Sequence, residues 1–234
     1  MAATPAVCPS LHGFDDAAAR AAALAAAAAQ WLRRACDSHG SAVLAVSGGR
    51  SPVALFERLR RLDLRWSAIT VTLVDERLVA ADDPDSNQRL VREHLLRDAA
   101  AAARLQALFD DPAAGLQACV REAERRALAA DLVILGMGED GHTASLFADA
   151  SGSEQAMDPR CHHTYVGLVP RHAPHARVSM SLRALAQAPQ LLLSIEGARK
   201  REVYEAACAQ PDGPLPIARL LRARAAPLPA FWSP

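Results

Sequence analysis

Asp131-Leu-Val-Ile-Leu-Gly-Met-Gly-Glu-Asp-Gly-His-Thr-Ala-Ser-Leu-Phe147 runs from an unbroken aliphatic stretch through three glycines to a histidine followed by hydroxyl residues. A continuous β-branched and aliphatic run suits a strand covered on both faces. Gly136, Gly138 and Gly141 end it and let a ligand approach the main chain. Thr143 to Phe147 is predicted to begin a helical turn, which would put His142 at a strand's carboxyl end beside a helix N-terminus. In open α/β sheets, ligands bind at that edge.

The same grammar recurs upstream. Ala42–Val46 reads as a buried strand, Ser47-Gly-Gly-Arg-Ser-Pro52 as a glycine turn, and Leu55, Phe56, Leu59 and Leu62 as the apolar face of a helix. Pro52 suits a first helical turn and Ser51 a cap, leaving the amides of Gly48, Gly49, Arg50 and Ser51 to face an anion. The segment lacks the GxxxxGK[ST] spacing, and a tight βα turn without ligand fits the same residues. Asp15 to Ser38, with an acidic pair at its start and Gly40 beyond its end, is predicted to be a helix before this unit.

Ile69–Val74 is a third buried strand, with Asp75, Glu76 and Arg77 at its carboxyl end. Three charges there are either solvated punctuation or a pocket wall. The Asp-, Pro- and Ser-rich loop up to Asn87 suits a binding loop. Ser86-Asn87 opens a predicted helix to about Ala103, Leu105–Phe109 a short strand, and Pro112–Ala130 an amphipathic helix. Beyond the glycine loop, Thr164–Val169, Arg177–Ser181 and Gln190–Ile195 read as strands, Ala198–Ala209 and Pro216–Arg224 as helices, and Leu228–Trp232 as a last edge strand. Lys200, the only lysine, follows Glu196-Gly197; a compact cationic contact and a chance surface residue both fit. Alternating strands and helices argue for one α/β domain over residues 1–234 with a largely parallel, doubly wound sheet.

Composition excludes several classes. The 234 residues balance 26 basic against 26 acidic side chains, so nothing points to nucleic acid or an anionic membrane as partner. The alanine-rich run Ala17–Ala29 is too short and too weakly apolar to span a bilayer, and no signal peptide is legible. Five widely spaced cysteines without a CxxC pair suggest reduced thiols in a cytoplasmic protein. Gly136 to Gly141 formally matches GxGxxG, but a polar loop replaces the long helix and second strand that a dinucleotide fold requires. His142, His162, His163, His172 and His175 show no zinc-ligand spacing, and Ser145 lacks the GxSxG frame of a serine nucleophile.

Together SGGRSP (47–52), VDER (74–77), DSN (85–87), GMGEDGHTASLF (136–147), RVSMSL (177–182) and IEGARK (195–200) resemble the 6-phosphogluconolactonases, within the glucosamine-6-phosphate isomerase/deaminase superfamily. The resemblance implies a Rossmann-like three-layer α/β/α sandwich, hydrolysis of 6-phospho-D-glucono-1,5-lactone and no cofactor or metal. It implies His142 as general base with Asp140 in support, and Arg77 at the lactone oxygens beside Asp75, Glu76 and Asn87. Ser47 to Ser51, Arg177 and Lys200 would hold the phosphate, with Gly138 and Gly141 shaping the loop. The implied partner is a small sugar-phosphate lactone, bound by a monomer or small homo-oligomer. An isomerase/deaminase is the alternative, but such enzymes carry an aromatic residue where Arg77 stands and a further Glu shortly after the Gly-His pair. A non-catalytic sugar-phosphate sensor would need a DNA-binding segment that this neutral chain has no room for.

Overall fold

In a computed structural model, which describes residues 11–49 and 51–234, the chain alternates strands and helices throughout. In order these are β1 (Leu11–Gly13), α1 (Ala17–His39), β2 (Ala42–Val46), α2 (Val53–Leu59), β3 (Ile69–Leu73), β4 (Asp75–Arg77) and α3 (Asn87–His94). Then come β5 (Arg104–Gln106), α4 (Leu116–Arg125), β6 (Leu132–Gly136), α5 (Ser153–Ala156), β7 (Tyr165–Leu168), β8 (Arg177–Met180) and α6 (Leu182–Gln187). The chain closes with β9 (Gln190–Glu196), α7 (Ala198–Ala209), α8 (Pro216–Ala223) and β10 (Ala230–Ser233). Arg50 and Cys8 lie outside the described residues.

Seven strands form one sheet in the order β1-β10-β9-β6-β2-β3-β5, every neighbouring pair parallel. Right-handed crossovers dictate where the helices go. The step from β2 to β3 runs one way across the sheet and the step from β9 to β10 runs the other, so α2 lies on one face and α7–α8 on the opposite one. The packing agrees: α1 lies against α2 and α2 against α3, while α8 contacts both α6 and α7. The result is a three-layer α/β/α sandwich. Its central strands are almost wholly buried, Leu44, Ala45, Val46, Val71, Leu73, Leu132, Val133 and Leu135 having no solvent exposure. That burial is what the unbroken aliphatic runs require.

The edges differ from the sequence expectation for local reasons. β10 is an inner strand, because the three-residue β1 adds outside it. The helix expected over 86–103 ends at His94, and the one expected over 112–130 is confined to Leu116–Arg125, since Gly115 sits at φ 86 and ends the preceding 3-10 turn. Asp75–Arg77 is no solvated punctuation. It forms β4, which joins β8 and β7 in a second, antiparallel sheet, with Met180 N–H bonded to Val74 O at 2.7 Å to hook this sheet onto the main one.

Candidate functional site

β2 leads through α2 to β3 on one side, whereas its other neighbour, β6, leads on toward β9, so the winding reverses between β2 and β6. Diverging connections leave a crevice at the carboxyl ends of two such strands. A cleft of about 670 Å³ lies there. Its wall takes Ser47, Gly48, Gly49 and Ser51 from the turn after β2, Asp75, Arg77 and Asn87 from beyond β3, and Gly136, Met137, Gly138, His142 and Ala144 from the loop after β6. Glu196, Gly197, Lys200 and Pro234 complete it. Across the strand order β9-β6-β2-β3 the ends are three strand spacings apart, roughly 14 Å. Lys200 therefore stands at one end, Arg77 at the other, and His142 between them.

The His142 imidazole is held from three sides. Nδ1 lies 2.5 Å from Asp140 Oδ1, which also accepts the His142 backbone N–H at 3.2 Å. A carboxylate only accepts, so Nδ1 carries the ring proton and Nε2 is left as a base. The hydrogen bond from His142 holds the Asp140 carboxyl below its ordinary range. On one flank the Phe147 ring lies 4.3 Å away, centroid to centroid. Gly138 approaches so closely that a Cβ there would overlap Cε1 and Nδ1 of the ring and come within 2.6 Å of Asp140 Oδ1. Gly141, at φ 79, turns the loop but does not line the cleft; it packs against Leu215 and Ile217.

The helix predicted to begin at Thr143 does not form. Ala144 takes φ 49, which breaks a right-handed path, and a single bond from Leu146 N–H to Thr143 O closes a turn. The Ser145 amide instead meets Ser179 Oγ at 3.2 Å, and its hydroxyl donates to Asp75 Oδ2 at 2.5 Å. Ser145 is thus buried and bonded to the wall residue Asp75, with no bond to His142. His142 owes its setting to Asp140, Phe147 and Gly138 rather than to a helix dipole.

Around β2 the structure brings Ser47, Gly48, Gly49 and Ser51 to the cleft as expected, although Ser51 makes no cap bond to α2. Ser47 Oγ is buried without a hydrogen-bond partner among the described residues. Gly48 is required by Asn87, whose amide group would collide with any Cβ at that position. Asn87 is fixed in turn by its Nδ2 donating to Asp75 O at 2.8 Å, which leaves Oδ1 unpaired among the described residues.

Besides Asp140 and Gly141, two expected site residues are off the cleft wall. Glu76 points away from the cleft into the start of α3, accepting from the amides of Arg77, Asn87 and Gln88 at 2.7–2.8 Å and from Ser86 Oγ at 3.1 Å. It is 4% exposed, and desolvation by burial raises its carboxyl above the usual range against the pull of those amides. Arg177 is not among the residues that line the cleft. Register pairs it with Arg77 across β4 and β8, where it is buried with Nη1 unpaired among the described residues. Burial, followed by the neighbouring Arg77 charge, lowers its guanidinium pKa. Arg77 itself lines the cleft and donates from Nη1 to Asp85 O at 2.5 Å.

Sequence reasoning passed over Met137, Ala144, Gly197 and, above all, Glu196, which lines the cleft in an ion pair with Arg20 of α1. Glu196 stands directly before the glycine turn, the one sequence signal that marked it. No group of three or more His, Cys, Asp or Glu side chains able to hold a metal occurs among the described residues.

An open parallel sheet with a carboxyl-edge cleft that gathers His142, Arg77 and Lys200 defines an α/β enzyme. The chain belongs to the family described as glucosamine-6-phosphate isomerases/6-phosphogluconolactonase, matched over residues 15–228. It is 43% identical over 229 residues to a 6-phosphogluconolactonase of Pseudomonas aeruginosa, covering 96% of this chain and 94% of that one. With a 6-phosphogluconolactonase of Rhizobium meliloti it shares 40% identity over 229 residues, covering 96% and 99%. The crystal structure of a 6-phosphogluconolactonase from Shewanella baltica superposes with a TM-score of 0.90 at 36% identity, covering 99% of this chain and all of that one.

Proposed function

We propose that this protein hydrolyses 6-phospho-D-glucono-1,5-lactone to 6-phospho-D-gluconate, the second step of the oxidative pentose phosphate pathway. The observation that carries the reading is the Asp140–His142 pair, with Nε2 free for a proton, in a cleft cationic at both ends. A δ-lactone is an activated ester, so the site has three tasks: to orient it, to deprotonate a water and to offset the oxyanion. His142 Nε2 takes the proton as the water oxygen bonds to C1. When the tetrahedral oxyanion collapses, the C1–O5 bond breaks and the imidazolium returns that proton to O5. General-base assistance of this kind contributes about 10² to 10⁴ in rate. Asp140 acts behind the imidazole, holding its tautomer and supporting its positive charge.

Lys200 and the Ser47–Ser51 turn suit the phosphate, since both flank the β6 end from which His142 arises. Arg77 then faces the lactone end, where its planar fork orients substrate oxygens and offsets developing charge. Buried Arg177 stands behind it as a second positive charge. Asp75 and Asn87 serve as wall residues, and Glu76 as the brace that sets Arg77 and Asn87. We assign residues 1–234 to one such unit acting in the cytoplasm as a monomer or small homo-oligomer. No helix among the described residues is long and apolar enough to cross a membrane.

The test is a coupled assay that follows 6-phosphogluconate released from fresh lactone, with uncatalysed hydrolysis subtracted. Release well above that background is expected, together with no ammonia from glucosamine 6-phosphate. Background-level release would overturn the reading, and ammonia release would move the protein to the isomerase/deaminase branch.

A further inference from the structure

Arg20 is a permanently charged side chain with 2% exposure, reaching from α1 to the carboxyl ends of β9 and β10. Nη1 donates to Ile195 O at 2.8 Å and to Ser233 Oγ at 3.0 Å, and Nη2 donates to Glu196 Oε2 at 2.6 Å. Glu196 lines the cleft with its side chain 44% exposed, and among the described residues its other carboxylate oxygen has no hydrogen-bond partner. A buried guanidinium is costly unless paired, and its one acidic partner among the described residues sits on the wall of the cleft. The cost is offset through a carboxylate that the pairing also immobilises.

We propose that Glu196, held by Arg20, is a specificity-determining acceptor for the hydroxyl at C4 of the substrate, selecting the gluco over the galacto configuration. The proposal rests on the lactone reading above and assigns one more residue to it. A polyhydroxy ring brings O–H donors that need acceptors. The cleft offers mainly donors: Lys200, Arg77, hydroxyls and main-chain amides. Its other side-chain acceptors are less accessible: Asp75 and Asn87 are 6% and 1% exposed, Asp75 Oδ2 already accepts from Ser145, and His142 Nε2 is kept for the attacking water. Arg20 neutralises the Glu196 charge, so the carboxylate can stand near a phosphate site without repelling the anion and still present a fixed acceptor. Position selects the carbon. Lys200, four residues on in the first turn of α7, takes the phosphate on C6. C5 carries C6 and gives its oxygen to the ring, so the free hydroxyl nearest the phosphate is the one on C4.

The test measures kcat/KM of wild type and Glu196→Gln on the parent lactone and on its 4-deoxy analogue. Gln keeps an amide oxygen for Arg20 and turns a donor to the cleft. We expect the wild type to lose roughly 10-fold or more on the 4-deoxy lactone, and Glu196→Gln to lose as much on the parent while handling the deoxy compound within about twofold of wild type. Equal slowing of both substrates in Glu196→Gln would mean a structural role only and overturn the proposal. Equal kcat/KM of the wild type on both lactones overturns it with no variant needed. A wild type inactive on the parent lactone sinks the lactone reading first, so the two failures are distinct.

Discussion

Gly138 stands so close to His142 that a Cβ there would overlap Cε1 and Nδ1 of the imidazole and fall 2.6 Å from Asp140 Oδ1. Gly138→Ala should therefore displace the base without touching its chemistry. A misplacement of about 1 Å can cost 10²-fold in rate, so kcat should fall by roughly that factor, with little change in KM or melting temperature. Steady-state kinetics beside a thermal melt check this. Wild-type kcat would mean that the ring has no fixed place in the reaction.

His142→Gln should lower kcat by roughly 10² or more with a smaller effect on KM, because the proton transfer occurs only in the transition state. The hydrogen bond from His142 keeps the Asp140 carboxyl below the ordinary carboxylate range, so it stays an anion behind Nδ1. Asp140→Asn, which loses that anion, should be slowed at every pH. Near wild-type kcat in a folded His142→Gln enzyme would move the base elsewhere.

Lys200→Ala should chiefly raise KM for the phosphorylated lactone, because a phosphate contact is made alike in ground and transition states. Unphosphorylated gluconolactone should be hydrolysed by this variant as by the wild type. Arg177→Ala should act at the other end, through Arg77, and lower kcat more than it raises KM. If KM rises equally in both variants with kcat unchanged, the two cations share the phosphate after all.

Glu76 gives a pH-dependent stability whose sign follows from its raised carboxyl. Its folded-state value lies above the ordinary 4.5, so the native state binds the proton more tightly than the unfolded chain. Its contribution is fully present below that ordinary value and declines as pH rises through the raised one. Glu76→Gln should remove this decline. It should also destabilise the fold by about 1–3 kcal/mol, since an amide has one accepting oxygen for the four donors that now meet two. Urea unfolding on both sides of the window separates the effects, and a parallel decline in the variant would assign the pH dependence to another group.

The residue order by itself determined the strands and helices whose information is local. β2 was readable to the residue from its aliphatic run, β3, β6 and β9 to within one residue, α1 from its Asp16 cap and Gly40 stop, and α7 from the Gly197 that precedes it. The loop carrying His142 was legible too, because glycine punctuation after a buried strand is a local pattern. What only the tertiary structure decided depends on partners far along the chain. Asp75–Arg77 became a strand because β8, a hundred residues later, supplies its ladder. Ala144 left the helical path where Ser145 bonds Asp75 and Ser179, distant residues whose hydroxyl and carboxylate replace a helix's own ladder. Strand pairing put Arg177 beside Arg77, a neighbourhood that no spacing in the sequence encodes. Arg20 and Glu196, 176 residues apart, meet only because α1 packs against β9. Their charges carry no periodic or punctuating signal, so their pairing becomes visible only once the sheet is assembled.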